Sequence, residues 1–348
     1  PGRAESSRSI GLMIRAPARI RVRRLSSALS HPGLSRKGSG IAVVALAMAV
    51  VSGGAVRLTG SGLGCSNWPA CTVTSIVAPL QYHAWVEFGN RLINVVVTAA
   101  ILLVVVATFQ RRPARRDLQL LSIGLVAGVL GEVVLGGETV LHKLAPSFVM
   151  AHMLLAMLLV GTAVVLYERA GLPEHTWGGK RYRTRVTPAT CLVRRGQLVA
   201  SRAMLATTAA VVTLGAVVTS TGPHAGAPGV PRFGFSLHAV AQLHGTCVEV
   251  LIALVIGTLW WMHLSGVRGG AIRRAEALLV VLATQAVLGY SQYLTGDPVL
   301  LVGFHIAGAT AVVIAMVAFH LGLHSHEPGP EVQTVGRRED PSPLKAYQ

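Results

Sequence analysis

Eight long apolar runs, separated by short polar or basic stretches, limit this chain more than any other feature. They read as Gly40–Arg57, His83–Phe109, Leu118–Gly137, Ser147–Tyr167, Arg202–Thr221, Leu237–Met262, Ala275–Leu294 and Val299–Leu323. A helix needs about 20 apolar residues to cross some 30 Å of hydrocarbon. Backbone groups in lipid have no water to bond, so each run must close its own hydrogen bonds as helix. With 52% hydrophobic and 13% charged residues, the chain fits an all-α integral membrane protein and excludes disorder.

The net charge of +17 is topological. Of the 31 Lys and Arg, all but Arg57, Arg91, Lys143 and Arg232 fall in the N-terminal tail, the loops after spans two, four and six, and the C-terminal tail. The positive-inside rule therefore places both termini on the cytoplasmic side of the cell membrane. The same cations suit anionic membrane lipid. No aromatic–basic interleaving accompanies them, so no nucleic-acid partner is expected. The stretch Pro1–Lys37, rich in Arg and Ser, has the composition of a transit peptide and reads equally as a solvated cytoplasmic tail.

The two halves resemble each other. Val51-Ser-Gly-Gly-Ala-Val56 in span one matches Val212-Thr-Leu-Gly-Ala-Val217 in span five. Val129-Leu-Gly-Glu132 matches Val287-Leu-Gly-Tyr290. Asn90 falls where His244 falls, and His152 where His305 falls. Four helices per repeat send both halves into the membrane in the same direction, the parallel-repeat case with its axis along the membrane normal. The expected plan is two pseudo-symmetric four-helix bundles at 40–168 and 202–323. A basic cytoplasmic linker at 169–201 joins them, with a basic tail at 1–39 and a polar tail at 324–348. Spans two, four, six and eight run inward and carry their marked residues early, so the sites lie near the outer face.

A histidine inside hydrocarbon needs a partner and marks a functional site. His244 and His305, on two helices of one bundle, suit the axial ligation of a haem b. The plainer alternative is a polar group satisfied by a neighbouring carbonyl. Glu87 and Arg91, four apart on one helix face, can pair. They either anchor the helix or line a polar cavity in which Glu87 moves protons and Arg91 holds Glu87 or a haem propionate. Glu132 also lies in a span and is a candidate to line the first bundle. Cys65 and Cys71 in the first outer loop can close a small disulfide, as a static staple or a redox pair.

Together these residues resemble the haem A synthase family. The resemblance covers about residues 40 to 323. It rests on Arg57-Leu-Thr-Gly-Ser-Gly-Leu-Gly-Cys-Ser-Asn-Trp-Pro-Ala-Cys71, Glu87-x-x-x-Arg91, Gly136-Gly-Glu-Thr-Val140, His152, Gln242-Leu-His244 and His305. It implies an oxidoreductase that converts the C8 methyl of haem O to the formyl of haem A. His244 and His305 would then ligate a haem b cofactor that relays electrons. His152 would hold the iron of the substrate haem beside Glu87 as catalytic residue, with Asn90 and Arg91 in the same site. Haem O synthase is the implied neighbour supplying substrate, and the electron donor is unspecified. Two departures stand out. Many members read Glu-x-x-His-Arg, and here Asn90 replaces that histidine, leaving His152 alone, with water, or with a displaced ligand such as His83. The second outer loop, Gly222–Ser236, has no cysteine pair. An electron-transfer cytochrome b, a parallel-repeat transporter and a thiol–disulfide oxidoreductase are the competing readings.

Overall fold

The computed structural model describes residues 32–172, 174–175, 185–186 and 190–325. Most of the two expected tails and part of the linker lie outside the described residues. Eight helices carry the fold: α1 (Pro32–Leu58), α2 (Tyr82–Gln110), α3 (Arg116–Leu141), α4 (Pro146–Ala170), α5 (Arg195–Thr221), α6 (Leu237–Leu264), α7 (Gly270–Leu294) and α8 (Val299–Leu321). All eight are long and apolar enough to cross a membrane. Four two-residue strands pair antiparallel near the linker and the C-terminal end: β1 (Glu174–His175) with β2 (Arg185–Val186), and β3 (Thr190–Cys191) with β4 (His324–Ser325).

The helices outrun their apolar cores. At 27 residues, α1 is about 40 Å long, against some 30 Å of hydrocarbon. It begins at Pro32, well before the apolar run, because proline suits the first helical turn and the early polar residues find partners. Ser39 Oγ donates to the Ser35 carbonyl at 2.7 Å. The Arg36 guanidinium lies 5.2 Å from the centre of the Tyr167 ring on α4. Likewise α5 starts at Arg195, within the expected linker, where Gln197 accepts the Arg194 backbone N–H at 3.0 Å.

In the first bundle α1 packs on α2 and α4, and α3 on α2 and α4. In the second, α5 packs on α6 and α8, and α7 on α6 and α8. Each bundle has its own apolar core: Ile101, Leu118, Leu125 and Val160 in one, Met204, Leu251, Leu278 and Met316 in the other. The outward faces stay apolar too. Leu103 is 69% exposed and Val280 66%, the pattern of side chains meant for lipid rather than water.

The bundles join through α4 against α5 and α8, and α1 against α8. Arg274 of α7 pairs with Glu168 of α4 at 3.0 Å. At the other end Arg57 of α1 reaches into the second half. Its Nε donates to the His224 carbonyl and an Nη to the Thr219 carbonyl, both at 2.7 Å. Leu144, in the turn between α3 and α4, adopts a left-handed φ of 57° that is uncommon outside glycine. Its buried side chain lies against Gly62 of the α1–α2 loop and Gly226 of the α5–α6 loop. Gly62 N–H donates to the Gly226 carbonyl at 2.9 Å. These two loops, one from each half, are thus interlocked.

Candidate functional site

His244 and His305 come together in the second bundle. Their ring centres are 6.4 Å apart and the planes 68° inclined. Two imidazoles on one iron, each with a bond of about 2 Å and about 1 Å more to its ring centre, give about 6 Å. The pair fits that spacing. His244 Nδ1 lies 3.1 Å from the Val211 carbonyl of α5. A carbonyl can only accept, so Nδ1 carries the proton and Nε2 keeps its lone pair for a metal. His305 Nδ1 is buried with no hydrogen-bond partner. Gln285 of α7 donates to the His305 backbone carbonyl at 2.7 Å and steadies that turn of α8.

Glycines seat both rings. A Cβ on Gly215 of α5 would lie 3.3 Å from His244 Cε1, and one on Gly289 of α7 would lie 3.1 Å from His305 Cε1. Both helices therefore leave room for an imidazole edge that any side chain would crowd. Among the described residues no three His, Cys, Asp or Glu cluster as a metal site. Haem does not require one, because the porphyrin supplies the equatorial nitrogens and the protein only axial groups.

The first bundle repeats part of this arrangement with different chemistry. A Cβ on Gly136 of α3 would lie 3.4 Å from His152 Cε1, as Gly289 does for His305. This contact corrects the expected register between the halves. Glu132-Val-Val-Leu-Gly136 aligns with Gln285-Ala-Val-Leu-Gly289, rather than Val129-Leu-Gly-Glu132 with Val287-Leu-Gly-Tyr290. The earlier match followed identical letters, whereas the structure aligns the glycines that face a histidine. His152 is 37% exposed in its side chain, and its Nδ1 lies 2.8 Å from Glu132 Oε2. The approach is close in distance but off the hydrogen-bond line, and Glu132 Oε1 is buried without a partner.

Asn90 meets different neighbours. Its Nδ2 donates to Ser52 Oγ of α1 at 2.8 Å. His83 lies at the N-terminal start of α2 with Nδ1 2.9 Å from Ser61 Oγ. Neither is paired with His152.

Glu87 and Arg91 form the expected ion pair, at 2.6 Å. Both also hold the α1–α2 loop. The other Glu87 oxygen accepts the Cys65 backbone N–H at 2.8 Å. Arg91 donates to the carbonyls of Asn67 and Pro69 at 3.1 Å and of Ala70 at 3.3 Å. Cys65 and Cys71 are disulfide-bonded. Trp68, inside that loop, packs on α3, where a Cβ at Gly137 would meet its ring at 2.9 Å. The pair thus fastens the disulfide-closed loop to the N-terminal end of α2. This role was invisible in the sequence, since three of the contacts are backbone carbonyls. The histidine seats had a readable signal, the repeated x-Val-Leu-Gly spacing. The Val211 carbonyl had none.

Residues 39–317 match the family model described as cytochrome oxidase assembly protein, COX15-CtaA. A relative named heme A synthase from Methylobacterium sp. (strain 4-46) is 28% identical over 334 residues, 81% of this chain and 89% of that protein. Another of that name, from Geobacillus thermodenitrificans, is 29% identical over 150 residues, 42% of this chain and 43% of its own length. A third, from Lysinibacillus sphaericus (strain C3-41), is 27% identical over 149 residues, 41% of this chain and 48% of its own. The chain spans less than half the length of the last two.

Proposed function

We propose, because this chain belongs to the COX15-CtaA family of cytochrome oxidase assembly proteins, that it is a haem A synthase oxidising the C8 methyl of haem O to a formyl. The observation that carries the reading is the division of labour between bundles. One holds two histidines at metal-sharing distance, and the other a single histidine with an acid beside it. The first arrangement would hold a resident haem between two imidazoles, which suits an electron carrier. The second would hold a substrate haem through His152 alone. The two bundles are pseudo-symmetric about an axis along the membrane normal, which their matching helix contacts support. Both termini are cytoplasmic, and the sites lie near the outer face of the cell membrane.

In this reading His244 and His305 hold haem b, and the Val211 carbonyl fixes the tautomer that presents Nε2 of His244. Haem b bound there supplies one-electron transfer. His152 holds the iron of the substrate haem O. Glu87 is the proton acceptor for the methyl oxidation, its two carboxylate oxygens oriented by Arg91 and the Cys65 N–H. The disulfide loop, pinned by Arg91 and Trp68, keeps bulk water from the outer end of that bundle. Haem O synthase is the expected source of substrate, and the oxidation of methyl to formyl uses dioxygen as oxidant with electrons from a separate donor.

The test is expression of the full chain in cells supplied with haem O, followed by haem extraction and chromatography. Haem with a formyl or hydroxymethyl at C8 is expected, and it should vanish in Glu87→Ala. Unmodified haem O beside a normally bound haem b overturns the activity and leaves an electron-transfer cytochrome b. A colourless protein from haem-replete cells overturns both and favours a transporter.

A further inference from the structure

The two repeats place different residues at one position of their third helix. In the second bundle it is Gln285, four residues before the glycine that seats His305; in the first it is Glu132, four before the glycine that seats His152. Gln285 is neutral and turns its amide to the backbone, donating to the His305 carbonyl. Glu132 turns to the imidazole instead, with Oε2 2.8 Å from His152 Nδ1. The acid sits where the partner histidine is missing, and the amide where two histidines face each other. Asn90, at the second position of the first bundle, is engaged with Ser52.

An acid within a membrane span is expensive and is retained where it has a task. Glu132 is largely covered, its side chain 17% exposed, and Oε1 is buried with no partner. Among the described ion pairs, two arginines of this bundle go to other acids: Arg91 to Glu87, and Arg115 to Asp117. Its near neighbour is an imidazole whose other nitrogen remains for a metal.

We propose that Glu132 is the positioning residue of the first bundle, accepting the Nδ1–H of His152 so that Nε2 is aimed at the iron of the bound haem. This rests on the reading that His152 holds that haem. A carboxylate behind a ligating histidine fixes its tautomer and ring orientation and makes it a stronger donor. A lone axial histidine gains most from such support, since no second imidazole shares the iron. A small rotation of the ring brings the N–H onto Oε2, which already lies within bonding distance.

The experiment uses the full chain in detergent with haem b in place, titrated with hemin as the probe for the second site. Loss of an outer-shell partner of this kind typically lowers metal affinity 10–100-fold. Glu132→Gln should therefore raise the Kd for hemin about 10- to 100-fold and lower the iron–histidine stretching frequency of the reduced second haem. The haem b bands should be unchanged, which also reports a folded protein. Wild-type affinity and wild-type frequency in Glu132→Gln overturn the proposal. If the Gln variant loses the haem b bands as well, Glu132→Asp carries the test. It keeps the charge one methylene further away, and wild-type values there overturn the proposal equally. Hemin binding lost in His152→Ala but not in Glu132→Gln sinks the positioning role alone. Hemin binding untouched by His152→Ala sinks the underlying assignment.

Discussion

Replacing Gly289 by alanine places a methyl 3.1 Å from Cε1 of His305. Carbon atoms rest comfortably at about 3.5–4.0 Å, so the ring or α7 must give by roughly half an ångström. Neither moves freely. His305 is held by packing on α8, and α7 by its core residues Leu278 and Leu282. Overpacking of this kind costs about 1–3 kcal/mol, which is roughly 5- to 150-fold in a binding equilibrium. On the proposal that His305 holds haem b, the loss falls on that haem rather than on the fold. Gly215→Ala, at 3.3 Å from His244 Cε1, should cost less, and Gly136→Ala, at 3.4 Å from His152, should leave haem b alone. Gly257→Ala on α6, where a Cβ meets nothing within 4 Å, is the neutral comparison. The assay is haem b per protein and hemin Kd after purification, with reduced-minus-oxidised spectra. Undiminished haem b in Gly289→Ala, or a loss in Gly257→Ala of the same size, would refute the seating argument.

Two further outcomes follow from the same geometry. Asn90→His gives up the 2.8 Å bond to Ser52, worth about 1 kcal/mol. It supplies the imidazole found at the equivalent place in the second bundle, so the first-site haem should shift to a low-spin, two-histidine spectrum. An unchanged high-spin spectrum would show that position 90 does not face the iron. Arg57→Ala removes two bonds to carbonyls of the second half, each worth about 1.5–3 kcal/mol for a charged donor. Thermal unfolding in detergent should move down by several degrees and Arg57→Lys should recover only part, since one ammonium does not reproduce the guanidinium fork. An unaltered unfolding temperature in Arg57→Ala would mean that the two halves are not joined through this residue.

Both the spans and the candidate ligands were legible in the chain, for one physical reason. Lipid offers no hydrogen bonds, so a crossing segment must be apolar and helical, and any histidine left inside it stands out. All eight expected spans coincide with helices. Their ends were less visible: α1 starts at Pro32 and α5 at Arg195, because polar side chains at a membrane boundary find partners on neighbouring helices that hydropathy does not register. The Cys65–Cys71 disulfide was legible in its spacing, and the fold brings the sulfurs together.

What only the tertiary structure decided is which groups answer one another. Arg91 was legible as a partner for Glu87, yet most of its bonds go to loop carbonyls, which carry no letter in a sequence. The register of the repeat turned on which glycine faces which histidine, a relation across helices that side-by-side letters misplace. Glu132 is one acid among several in the chain until folding sets it against His152. Hydropathy is a property of each segment and can be read along a line. Ligand seating and charge pairing belong to distances between segments, and those exist only once the helices have packed.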